Sequence, residues 1–429
     1  MKIKKNLDRI KESIGKIVSN FRTILGNEGN KIQRHVGDEG AESAKVDNIN
    51  DYKSKAVNYQ RRRMISMVAM AVLILVGAFI AKTTIENKTY DSYKVLEETP
   101  EEDTAASKYT DFHNNILKYS GNDAILMNAA GKVLWTQKLD METPAVETCG
   151  NIMVIYAKRG TKIMTFGKDG KIGEFNTDKP ILKATVALSG TVAAVLEDGE
   201  NTWINYYSAT GEQIVNAKTS VDNPGYPVDI AISPDGIVLM VTYFQVEGGT
   251  TKSYVAFYNF GNAGQNQMDN MVSNYTYSSI LVPQVEYIDD SLAVAFCDNG
   301  FVLYEGKQIP KEVTTVEVNE EIISTFYNDK YIGMIFRSVE TDAQYKLALY
   351  DKRGKLKFEE NFDAEYSTIK ISDDTILMYN EAKVFIMSDK GVVKFSGSIE
   401  EGTILNLFKM DMNRYRLVTS RGVKTIKLT

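Results

Sequence analysis

Histidine, cysteine and tryptophan each occur only twice in the 429 residues, and proline only eight times. His35 and His113 stand far apart, which leaves no room for a metal centre built on imidazoles and little for a Ser-His-Asp site. Cys149 and Cys297 cannot make a disulfide framework; each ends a strand-like run, and both are expected as free thiols. Charge is missing altogether between Met64 and Ala81. What the chain does have is 43% hydrophobic and 25% charged residues, the profile of a folded protein with a sizeable core.

The uncharged run divides the charge of the molecule. Residues 1–63 carry 15 Lys and Arg against 8 Asp and Glu, whereas residues 82–429 carry 35 against 48. The run itself reads MISMVAMAVLILVGAFIA, with Ser66 its one clearly polar side chain. Eighteen helical residues span about 27 Å, close to the hydrocarbon thickness of a bilayer. Lys82 can snorkel, and Ile85 can extend the span. The run starts too far along the chain, and is too long, for a cleavable signal. Arg61, Arg62 and Arg63 abut its amino-terminal end, while residues 86–103 hold seven acids against Lys88 and Lys94. By the positive-inside bias, residues 1–63 are expected in the cytoplasm and residues 82–429 outside, a single-pass signal-anchor protein of the cell membrane.

Within the cytoplasmic part, Ile3, Leu7, Ile10, Ile14, Ile17, Phe21 and Ile24 follow a 4-3 spacing, and Gly26 stands at a C-cap position. Residues 1–26 are therefore predicted as a basic amphipathic helix. Lys4, Lys5, Lys11 and Lys16 would contact the anionic inner leaflet if it lies on the membrane. Alternatively, residues 3–24 could self-associate or pair as a short coiled coil, or form a solvated helix. Residues 27–63 read as a polar tether. Residues 82–111 read as an acidic stalk, part of which could supply a closing strand to the domain beyond it.

Residues 112–429 repeat. A short strand, a polar turn ending in Gly and another short strand recur at Gly131, Gly170, Gly211, Gly264, Gly306, Gly354 and Gly391, with spacings of 39, 41, 53, 42, 48 and 37. A further strand precedes most of them. Four strands in about 40–45 residues is the signature of a β-propeller of WD40-like or quinoprotein-like repeats. A β-sandwich predicts no fixed period. The count favours eight blades over seven. In AISPDGIVLMVTYF the Ser-Pro-Asp-Gly turn at 233–236 is placed between the inner two strands of a blade.

The layout of anchor and propeller resembles a family of bacterial membrane proteins known as domain of unknown function 5711. So do the phrases ILKYS, GKVLW, GTKIMTFGKDG, GYPVDIAISPDG and VAFYNFGNAGQNQ. The resemblance covers about residues 60–429. It implies a propeller on the outer face of a Gram-positive-type membrane, and it implies no activity.

Catalytic readings of a propeller find little support. A quinone-cofactor dehydrogenase docks its blades with a Trp in nearly every repeat and holds Ca²⁺ and an adjacent Cys pair; here Trp135 and Trp203 stand alone. The repeated Ser-x-Asp-x-Gly-x-x-Trp turns of a sialidase are missing, as is a calcium loop. The acid pairs Asp289–Asp290 and Asp373–Asp374 lie in turns, where neighbouring side chains point apart, so solvated turn acids are expected over an acid–base dyad. No catalytic residue, metal site or cofactor is expected.

One loop departs from the repeat. Between Tyr243 and Tyr275 the fourth blade is about ten residues longer than its neighbours, and contains Asn259, Phe260, Asn262, Gln265, Asn266 and Asp269. Amides beside an aromatic both donate and accept hydrogen bonds, as saccharide and peptide recognition requires. The alternative is an insertion that caps neighbouring loops. The sequence thus predicts a non-catalytic binding or scaffolding module at the cell envelope, docking an envelope protein or a cell-wall polymer. An adaptor working by clustering, or a propeller enzyme with an unrecognised site, are the alternatives. Nucleic acid is disfavoured because the acidic outer part repels phosphate.

Overall fold

The computed structural model describes residues 49–100, 106–113, 115–128, 131–199, 201–220, 224–338 and 343–429. It divides into two units at Thr83 and Thr84. The inner-leaflet lysines Lys4, Lys5, Lys11 and Lys16, and the self-association segment 3–24, lie outside the described residues.

The first unit contains most of helix α1 (Ile49–Glu86). Its stretch Arg61–Thr84 has a mean hydropathy of 2.7 and is long and apolar enough to cross a membrane. Met64, Ile65, Val68, Ile74, Leu75 and Phe79 all project from it exposed, so no protein core claims this face. The helix starts earlier than the composition suggests: residues 49–63, expected as part of a tether, are helical. They contain neither Gly nor Pro, and propagating an existing helix costs far less than nucleating one.

The second unit is a ring of eight four-stranded antiparallel sheets, which confirms the eight-bladed propeller. Blades 1 to 7 are consecutive meanders over residues 108–138, 144–176, 181–220, 226–278, 284–317, 322–362 and 368–398. Blade 8 takes three strands from the carboxy terminus, β30 (Ile404–Lys409), β31 (Arg414–Thr419) and β32 (Gly422–Leu428), and its outermost from β1 (Tyr93–Pro100). β1 and β32 pair with Glu98 opposite Lys424, and Lys424 Nζ lies 2.9 Å from Glu98 Oε1. At the end of this ladder Ser92 and Thr429 exchange backbone hydrogen bonds. Part of the acidic stretch thus supplies the closing strand, as the sequence allowed. Residues 93–100 and 108–111 are strands; β1 covers what would be the bare edge of a three-stranded last blade, and its Glu98 meets Lys424.

Eight apolar clusters hold the ring, one at each junction between neighbouring blades. Val255, Phe257, Val285 and Tyr304 join blades 4 and 5, for example. The junction between blades 8 and 1, where the ring closes, has the smallest cluster, built on Tyr109, Ile116, Phe408, Val418 and Val423. Second and third strands are buried on both faces, as in Leu292–Cys297 and Thr375–Tyr379, while outer strands alternate. Gly131, Gly170, Gly211, Gly306, Gly354 and Gly391 all turn the third strand into the fourth with positive φ, which explains their recurrence. Gly264 serves the same turn for a different reason: a Cβ there would sit 1.8 Å from the Asn259 carbonyl oxygen. The Ser233–Gly236 turn joins the first two strands of blade 4, as its sequence predicts.

Candidate functional site

In a meander the first-to-second and third-to-fourth turns share one end, so each blade sends both to the same face of the ring. First strands of blades 2 to 5, and those of blades 6 and 7, lie against one another. The first strands are β2 (Lys108–Phe112), β6 (Pro144–Cys149), β10 (Ile181–Val186), β14 (Tyr226–Ile232), β18 (Gln284–Asp289), β22 (Ile322–Tyr327), β26 (Thr368–Ser372) and β30. Most carry a charged or amide residue in mid-strand, and several of these residues gather inside the ring in two groups.

The first group belongs to blades 7, 8 and 1. Lys370 Nζ reaches Asp111 Oδ2 at 2.9 Å and Asn406 Oδ1 at 3.0 Å, and lies 4.2 Å from the centre of the Phe408 ring. Asn406 Oδ1 also accepts from the Tyr379 hydroxyl, and its Nδ2 donates to the Tyr109 carbonyl. One cation meets one anion here, and the amide between them is saturated. Burial holds the Lys370 pKa down, with Asp111 opposing it.

The second group belongs to blades 2 to 6. Asp229, 4% exposed, pairs with Lys183 and accepts from the Val285 N–H at 2.9 Å. Glu147 and Glu286 face the same pair from β6 and β18, and the Tyr327 hydroxyl donates to Glu286. Gln284, which accepts from Thr325 at 2.9 Å, donates to Glu286 Oε1 at 3.4 Å. Three carboxylates thus surround one ammonium. Burial raises Glu147 and Asp229, with Lys183 pulling both back. Glu286 is raised to about 7, first by burial and then by Asp229 and Glu147. Burial works against the Lys183 charge, but Asp229, Glu147 and Glu286 outweigh it, and its pKa is raised.

Two cavities open where the first strands turn into the second. One, of about 710 Å³, is lined by Asp111, Asp373, Asp374, Lys409 and Asp411 beside the first group. The other, of about 650 Å³, has Glu286 and Tyr327 in its wall beside the second group, with Leu188, Pro234 and Asp290 at its turns. The turn acids do not form dyads: Asp289 pairs with Lys352, Asp290 with Lys307, and Asp374 with Lys409. Asp373 adopts positive φ. Both cysteines are free, Cys149 half-buried and Cys297 buried. His113 sits in an exposed turn, also with positive φ.

The long loop of blade 4 lies at this same end of the ring. Asn259 is fully buried, donates to the Gln308 backbone carbonyl at 2.8 Å and accepts from the Gly261 N–H. Phe260 packs on Tyr206 with ring centres 4.3 Å apart. Asn262, Gln265, Asn266 and Asp269 are exposed, and Met268 beside them is 87% exposed. The loop thus ties blade 4 to blade 5 at its root and presents amides at its tip. Arg61, Arg62 and Arg63 are exposed on α1 in the other unit.

Sequence reasoning singles out the loop and passes over Glu147, Lys183, Asp229 and Glu286. The signal is present nonetheless: in PAVETC, ILKATV, YPVDIAI and QVEYID, a charge interrupts an inner strand.

The model of a family of unknown function (DUF5711) matches residues 86–428. No curated protein matches the chain. Among solved structures the chain is similar to BamB from Moraxella catarrhalis, at 11% identity and a TM-score of 0.47, covering 79% of this chain and 100% of that one. It is also similar to Sqt1 of Saccharomyces cerevisiae, at 11% identity and a TM-score of 0.47, covering 80% and 99%. The Pan2 WD40 domain of Neurospora crassa is similar at 10% identity and a TM-score of 0.39, covering 67% and 88%.

Proposed function

The chain belongs to the family of unknown function DUF5711, and from that premise we propose that it is a membrane-anchored binding or scaffolding module of the cell envelope that acts without turnover. The observation that carries this reading is the pair of open cavities at one end of a closed ring, each lined by turns from several blades. Turns are free to vary while the ring stays rigid, so a propeller presents a preformed concave surface whose use costs little ordering entropy. The exposed amides of the blade 4 loop extend that surface toward an envelope protein or wall polymer.

The span Met64–Ala81 anchors the module, with the Arg61–Arg63 cluster holding the amino terminus in the cytoplasm. Two experiments test the reading. Protease added to intact spheroplasts should digest residues 82–429 and spare residues 1–63; the reverse pattern overturns the orientation. In-cell crosslinking of the full-length chain should capture one dominant envelope component. That capture should fall when Asn262, Gln265, Asn266 and Asp269 are replaced together by Ser. Isolated cell wall, assayed in the same way, covers the polymer alternative. A chain that captures nothing and is not retained on wall is not a binding module.

A further inference from the structure

We propose that the end of the ring carrying the first-to-second and third-to-fourth turns lies on the surface of the bilayer that its own chain crosses, so that both cavities open toward lipid headgroups. The inference rests on the membrane-anchored reading above and deepens it, because it places the partner of the cavities at the membrane surface.

The chain leaves little slack for another arrangement. The apolar stretch ends at Thr84, and the first tie to the ring comes two residues later. Glu86 Oε2 lies 2.5 Å from Nζ of Lys390, which stands in the third-to-fourth turn of blade 7. Lys394, just beyond that turn, donates to the Glu86 carbonyl. Glu86 also shares the wall of a small cavity with Asp374 and Met412, from the first-to-second turns of blades 7 and 8. The residues that follow are fixed as well: Tyr90 is buried in the cluster between blades 7 and 8, and its N–H donates to the Lys394 carbonyl at 2.8 Å. Two residues reach about 7 Å when fully extended. A link so short, attached at the turn end, keeps the far end of the ring away from the membrane.

Charge separates the two ends in the same sense. Among the described residues, the second-to-third turns and the links between blades hold eleven acids and four bases. The turns at the opposite end hold ten and eight, and seven of those bases stand in third-to-fourth turns. Third-to-fourth turns lead into the outermost strands, so the bases form the rim, where Lys132, Lys168, Arg353 and Lys355 are exposed. Of the acids nearer the axis, Asp235 and Asp290 are paired with Lys307, Asp374 with Lys409 and Asp411 with Arg414. Anionic headgroups attract such a rim and repel the far end. Resting on its side at the same link, the ring would instead press β1, with Glu97 and Glu98 exposed, onto those headgroups.

Exposed apolar side chains follow the same division. Leu188, Met268, Ile309 and Met412 project from turns at the membrane end, whereas Leu281 alone does so from the connections at the far end, among the described residues. Basic residues beside aliphatic ones are what a bilayer interface takes up, the ammonium groups at phosphate and the apolar groups beneath.

The test uses the full-length chain in nanodiscs that contain phosphatidylglycerol and a lipid with a nitroxide on its headgroup. In a Cys149→Ser background, Leu188→Cys, Ile309→Cys, Met412→Cys or Leu281→Cys is labelled with a small fluorophore. A six-residue strand holds the two ends about 20 Å apart, beyond the reach of contact quenching. Strong loss of fluorescence is expected at the three turn-end sites and none at Leu281→Cys; three sites keep the test decisive if one variant misfolds. Lys132→Gln, Lys168→Gln, Arg353→Gln and Lys355→Gln, combined in one chain, should restore most of the lost fluorescence. Equal quenching at both ends, quenching at neither, or quenching indifferent to the four substitutions overturns the proposal. Crosslinked capture that persists without the expected quenching leaves the binding module standing and the lipid-facing end fallen. The expected quenching with no component captured leaves the lipid contact standing and the binding module fallen.

Discussion

The two halves of the ring interior are built on the same strand position and settle their charges in opposite ways. Around blades 7, 8 and 1, Lys370, Asp111 and Asn406 form a closed set in which each charge has its counterpart. Around blades 2 to 6, Glu147, Asp229 and Glu286 share Lys183. A structural network is under pressure to satisfy itself, since a half-satisfied one is worse than an apolar core.

The largest effect that would separate the halves comes from Lys183→Met. It leaves Asp229, 4% exposed, beside two further carboxylates with no cation. A loss of about 3–5 kcal/mol is expected in urea denaturation at pH 7.5, shrinking markedly at pH 5 as the carboxylates take up protons.

The second effect is pH dependence in the native chain. Glu286 titrates at about 7 in the folded protein and near the ordinary glutamate value when unfolded. The folded state then holds a proton that the unfolded state releases, so this contribution is full below about pH 4.5 and is lost as pH rises to 7. Stability should fall by up to about 3 kcal/mol between pH 5 and 7.5. Glu286→Gln should flatten that slope; a native chain already flat over this range would show that the cluster carries no shared proton.

Next is Lys370→Met, which orphans Asp111 and Asn406. Because Asp111 is about half exposed, a cost of about 2 kcal/mol is expected, with little recovery at pH 5. Recovery equal to that of Lys183→Met would erase the distinction between the halves. The smallest effect is expected from Glu147→Gln, which removes one of three like charges and breaks no hydrogen bond. The midpoint should stay constant or rise by the equivalent of about 1 kcal/mol. Circular dichroism together with urea denaturation checks it, and a large loss would mean that Glu147 has a structural partner.

Much of the fold was legible because it repeats. Seven turn glycines at a nearly constant spacing state the number of third-to-fourth turns, and six of them adopt the positive φ that made Gly necessary. The eighth blade was harder to read. Its outer strand lies more than three hundred residues from its neighbours, and the run YKVLEETP looks like a solvated acidic stretch until Lys424 is placed opposite Glu98. The blade 4 loop was legible in composition and ambiguous in role: Asn259 turned inward to Gln308, while Asn262, Gln265, Asn266 and Asp269 stayed outside. Nothing in an amide's identity says which way it faces.

Local pattern alone was enough to settle the long apolar run and the strand-rich repeat and to favour eight blades over seven, because period and composition act over a few residues at a time. The path of α1 back to Ile49, the partner of β1 and the gathering of Glu147, Lys183, Asp229 and Glu286 are different in kind. Those four charges come from four separate blades, each inconspicuous within its own strand. Only closure of the ring makes them neighbours, where burial and mutual repulsion shift the titration of otherwise ordinary side chains.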